Sequence, residues 1–119
     1  MTLENETTNK FLIGVRVIEP DLESLGFAQH DFEHKGYASY VYYKRRDTVV
    51  EFIYGPSDWD VEMLITTPTR KLALKDLLQI PAIADWFANN RYKSANGRNA
   101  ADELHWFVEL LKFSLPIVE

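Results

Sequence analysis

Residues 27–66 read FAQHDFEHKGYASYVYYKRRDTVVEFIYGPSDWDVEMLIT, and the fold turns on them. Four runs rich in Val, Ile, Tyr and Phe lie here, at residues 27–33, 37–45, 48–54 and 59–66. Branched and aromatic side chains fit a pleated surface better than a helix. The separators are His34-Lys35-Gly36, Arg46-Asp47 and Gly55-Pro56-Ser57-Asp58. Links this short reverse the chain at once, so successive strands should pair antiparallel as a meander. The third run alternates, with Val50, Phe52 and Tyr54 on one side and Val49, Glu51 and Ile53 on the other. The fourth sets Val61, Met63 and Ile65 against Asp60, Glu62 and Thr66, with Leu64 out of pattern. A period of two with acids on one side describes a sheet with one wet face. The second run carries Tyr37, Tyr40, Tyr42 and Tyr43 on both faces. It should therefore be central and covered on more than one side.

Working outward, residues 8–18 fit a helix through Phe11, Leu12, Val15 and Ile18, and a strand through Phe11, Ile13, Val15 and Val17. Periodicity alone does not separate the two. Polar residues 4–10 would make a poor strand, so helix is favoured, with Pro20 breaking it. A short helical turn over residues 21–25 should close on Gly26, where a positive φ is cheap. Downstream, residues 66–71 read as a loop. Leu72, Leu74, Leu77 and Leu78 begin a short helix stopped by Pro81, and Ile83, Trp86 and Phe87 mark a second one. The polar loop RYKSANGR spans residues 91–98. After Asn99, a good N-cap, Leu104, Phe107, Val108 and Leu111 fall at i, i+3, i+4 and i+7 of a wide apolar helix that Pro116 should end. The expected architecture is α+β: an N-terminal helix, a four-stranded antiparallel meander and C-terminal helices packed on one face.

The 119 residues suit one domain, spanning 1–119, with a core large enough to need no staples. Hydrophobic residues at 46% and charged residues at 26% describe a globular chain. Cysteine is absent, which excludes disulfide scaffolds, thiolate metal sites and cysteine nucleophiles. There is no G-x-S-x-G, no P-loop and no dinucleotide fingerprint. These absences argue against an enzyme and against a cofactor without closing the question, since a site is assembled in space. The N-terminus lacks an export signal and no apolar run could span a bilayer, so a cytoplasmic location is expected. Net charge is −5, which argues against nucleic acid as the partner. The distribution is uneven, however: residues 68–99 hold 6 bases against 2 acids, and the rest of the chain is acidic.

Four clusters merit weighing. Asp58, Asp60 and Glu62 line one side of a strand around Trp59. They read either as a solvated, aggregation-resistant edge or as an acidic stripe for a basic partner. Arg91, Lys93 and Arg98 precede a helix N-terminus and could hold an anion. His30 and His34 are spaced for a metal only if helical, and they fall on a strand, so no metal site is assigned. Lys44-Arg45-Arg46 reads as a solvated hairpin tip.

One wider outline is visible. A helical segment ends in Leu25-Gly26-Phe27. A tyrosine-rich strand follows, then Val49-Val50-Glu51-Phe52-Ile53-Tyr54-Gly55, an acidic-apolar strand, and a segment with Leu74, Leu77 and Leu78. This pattern, over about half the chain, resembles small cytosolic bacterial proteins of uncharacterised families, some of them similar to immunity proteins of polymorphic toxin systems. The resemblance carries no catalytic residues. It implies a protein partner, such as a basic toxin domain, as the default. The reading is thus a non-enzymatic protein-binding module, with Asp58, Trp59, Asp60, Glu62, Tyr54 and Tyr42 as contact residues. The rival is a small-molecule-binding or enzymatic domain with its pocket between sheet and last helix, near His105 and Trp106. A homodimer through paired edge strands is a further expectation.

Overall fold

The computed structural model describes residues 3–35, 38–55, 61–91 and 100–119. Helix α1 (Leu3–Ser24) leads into strands β1 (Ala28–Lys35), β2 (Ala38–Arg45), β3 (Thr48–Tyr54), β4 (Val61–Thr66) and β5 (Lys71–Leu72). Helices α2 (Leu74–Leu77), α3 (Pro81–Asn89) and α4 (Ala100–Val118) complete the chain. The sheet is an antiparallel meander in the order β1-β2-β3-β4-β5. It has five strands rather than four. The added strand is two residues long, too short to show periodicity. It is set by a tight reversal in which Thr67 N–H donates to the Arg70 carbonyl at 2.8 Å and Arg70 N–H donates to Thr67 Oγ1 at 3.1 Å.

Residues 8–18 are helical, and α1 continues through Pro20 to Ser24. A proline inside a helix removes one backbone bond and costs about 3 kcal/mol. Leu22, fully buried, lies one turn beyond Ile18 on the stripe that begins with Phe11 and Val15. Burying a leucine there is worth about as much, roughly 2–5 kcal/mol, so packing outweighs the missing bond. The same reasoning holds for α4, which runs past Pro116 because Leu115 and Val118 are both buried. Gly26 does close α1, at φ +92. Phe27 N–H donates to the Leu22 carbonyl and Gly26 N–H to that of Glu23, a Schellman ending. Pro81 opens α3 in its first turn, where its missing N–H costs nothing.

The core lies between one side of the sheet and helices α1 and α4. Phe11 of α1 stacks on Tyr54 of β3, centroids 5.1 Å apart, and Tyr43 meets Phe52 edge to face at 6.5 Å. Leu104, Val108 and Leu111 of α4 fill the same layer and are fully buried. Gly14 lets the two helices approach: a Cβ there would stand 2.9 Å from Leu104 Cδ1 and 3.1 Å from Ala101 Cα. Lys112 spans the pair, within 3.6 Å of Asp21 and 3.2 Å of Glu109.

Candidate interaction face

Alternation decides which side chains the helices cover. Ser39, Val41 and Tyr43 of β2, Val50, Phe52 and Tyr54 of β3, and Val61, Met63 and Ile65 of β4 are all buried. Their neighbours point the other way, and none of the described ones is buried. Register places those neighbours in rows across four strands. The first row is Glu33, Tyr40, Ile53 and Glu62, and the second is Asp31, Tyr42, Glu51 and Leu64. A third row holds Lys44, Val49, Thr66 and Lys71. At about 4.8 Å per strand, each row crosses roughly 14 Å of rigid backbone.

The chemistry of this face is graded. Two tyrosines, Ile53 and Leu64 are half-buried at its centre. Four carboxylates stand among and beside them, and two lysines lie at the far end. Like charges on one sheet face repel unless water or a cationic partner screens them. Glu51 stands directly opposite Tyr42 in the ladder. Desolvation, reinforced by the neighbouring Glu51 carboxylate, pushes the phenol up to about 12. Tyr42 is thus neutral at physiological pH. β2 is an interior strand next to the edge strand β1 rather than the central one, and its second face is the half-covered one and not a second core.

The expected contact residues divide. Tyr42 and Glu62 lie on this face. Tyr54 does not: it is 6% exposed on the opposite side, under Phe11, so its ring belongs to the core. Asp58, Trp59 and Asp60 lie outside the described residues, as do Lys93 and Arg98 of the anion cluster. Arg91 is exposed, with its guanidinium 6.0 Å from the Phe87 ring centroid. Tyr40, Ile53, Leu64, Asp31, Glu33 and Glu51 are the residues that sequence reasoning missed. The signal was present: a two-residue link at Arg46-Asp47 fixes Arg45 opposite Thr48, and counting back puts Tyr42 beside Glu51 and Tyr40 beside Ile53.

The layer between sheet and last helix is filled by Leu104, Val108 and Leu111, with an opening beside β4 at Met63 and Phe107. His105 points outward from α4, and Trp106 packs among Trp86, Phe87 and Phe107 at centroid distances of 5.0–5.9 Å. His34 Nδ1 lies 3.1 Å from Ser39 Oγ. Among the described residues no group of three or more His, Asp and Glu is placed to hold a metal. Among them, too, no helix is long and apolar enough to cross a membrane.

The hairpin tip has an internal task. Arg45 donates to the Leu25 carbonyl at 2.7 Å, pairs with Glu119 and lies 4.9 Å from the Phe27 ring centroid. Thr48 Oγ1 donates to the other Glu119 oxygen at 2.7 Å. Comparison with protein-family models, with curated proteins and with solved structures returns no match.

Proposed function

We propose that this protein is a non-enzymatic module that binds a basic partner protein through the uncovered sheet face, in the manner of a cytosolic bacterial immunity protein. The observation that carries the reading is the face itself: tyrosines and aliphatic side chains on four rigid strands, interleaved with Asp31, Glu33, Glu51 and Glu62. Tyrosines supply contact area at small ordering cost, and carboxylates steer a cationic surface toward it. The basic-toxin identity of the partner rests on the sequence resemblance and on this charge.

The test is kinetic. A partner recovered from the native lysate is identified, purified and measured against the wild type and against a Glu33→Gln, Glu51→Gln, Glu62→Gln variant. Association should slow about tenfold at low salt and lose most of its salt dependence. Tyr42→Ala should instead speed dissociation, with a loss of about 2 kcal/mol in affinity. Unchanged kinetics in both variants would discard this face.

A further inference from the structure

The meander has an unfinished margin. β5 pairs with β4 only at Ile65 and Thr66, and the chain then leaves the sheet at Ala73 to form α2. Residues 61–64 of β4 therefore present an edge. In an antiparallel strand, the N–H and carbonyl of one residue point the same way, and alternate residues point alike. Val61 N–H points outward, because it donates to Glu103 Oε2 at 3.2 Å. Ile65 points outward too, toward Leu72. Met63, between them, must also direct its N–H and carbonyl to this side, and among the described residues neither has a backbone partner there. A side chain thus stands in for the absent strand at Val61, while the N–H and carbonyl of Met63, a residue only 3% exposed, have no backbone partner on this side among the described residues.

That pair opens into a cleft of about 420 Å³, among whose lining residues are Val61, Met63, Leu64, Leu74, Lys75 and Phe107. The volume falls in the range that takes a bulky side chain or small ligand. Its walls are mostly apolar, and Glu62 and Leu64 carry it over onto the acidic face described above. Two independent features coincide here: an unpaired stretch of ladder and an apolar hollow beside it.

We infer that β4 receives an extended segment of the partner protein as an added strand, in the line that β5 begins. The segment's central residue exchanges both backbone hydrogen bonds with Met63. Its side chain, on the same face as Met63, enters the cleft toward Phe107. The residues on either side of it point to the open face, where Glu62 and the neighbouring carboxylates select a cationic one. The occupant is thus a short stretch of alternating apolar and basic residues. Backbone bonds supply affinity and the alternate side chains supply specificity. The inference rests on the reading of the adjoining face as a protein-binding surface and specifies how the bound chain is held at its margin.

The probe is a capped hexapeptide of alternating lysine and valine, titrated into the isotope-labelled full chain and followed by amide NMR. The Met63 amide should shift, and its hydrogen exchange should slow at least about tenfold at saturation. A second peptide, N-methylated at its valines, keeps every side chain but loses the donors to the Met63 carbonyl; it should bind about tenfold more weakly or worse. Equal binding of the two peptides overturns strand addition, as does no binding at millimolar peptide. Shifts confined to Tyr40, Tyr42 and Ile53 also overturn it, while leaving the face reading intact. A Met63 response beside partner kinetics indifferent to the face variants supports the added strand but overturns both the face and the selection of a cationic residue by Glu62.

Discussion

Single residues set the two sharpest reversals of this chain, and they do so from opposite positions of comfort. Gly26 sits at φ +92, where an added Cβ would also press on Arg45 Cδ at 3.0 Å. Arg46 sits at φ 53 and does carry a Cβ. The left-handed region costs a residue with a side chain about 1–2 kcal/mol. Gly26→Ala should therefore destabilise the fold by roughly 1–2 kcal/mol, whereas Arg46→Gly should stabilise it by up to about 1 kcal/mol after the larger entropy of the unfolded glycine is subtracted. Urea unfolding of the two variants checks both signs. Equal effects would mean that neither turn is under conformational control.

At the scale of elements, the α1–α4 contact depends on a missing side chain. Gly14→Val would force two methyl groups against Leu104 and the Ala101 backbone. Overpacking of this kind costs about 2–3 kcal/mol, more than the helix propensity that valine gains over glycine. A thermal melt should show the loss, and an unchanged midpoint would refute the close approach. The elements differ in how much of them was legible in sequence. The strands declared themselves because their separators are short and the third and fourth runs alternate: Val50, Phe52, Tyr54, Val61, Met63 and Ile65 are all buried as the period of two demands. The prolines misled because a local rule met a long-range one. Pro20 and Pro116 forbid one backbone bond each, but Leu22, Leu115 and Val118 lie beyond them on buried stripes, and tertiary packing is invisible to a local reading. β5 was lost to brevity. The site was half legible. Tyr42 and Glu62 follow from alternation within one strand, whereas Tyr40, Ile53 and Leu64 require register across several. Tyr54 fell to the wrong side because aromatic character says nothing of which face a helix will cover.

The described residues form one sheet with α1 and α4 on one side, tied at one end by Arg45 and Glu119. Tyr43 is fully buried and donates to Glu19 Oε2 of α1 at 3.2 Å, and burial with that carboxylate pushes its phenol far up. Tyr42 is raised to about 12 on the other face. Both folded values exceed the unfolded value near 10, so the protonated form is the one that folding favours. Their contribution is complete below about pH 10 and is lost as pH rises through the folded values, about 12 for Tyr42. The urea midpoint should fall between about pH 10 and about pH 12, and a Tyr42→Phe, Tyr43→Phe double variant should flatten that slope. An identical slope in the variant would assign the alkaline loss elsewhere. The other margin of the sheet, β1, has its own consequence. Between Gln29 and Asp31 its register slips by one, leaving His30 as an additional residue against β2. A kink there means that two molecules meeting margin to margin cannot keep step along all eight residues of β1. Crowded solutions of this protein should accordingly stay clear, growth into fibrils being stopped at its first rung.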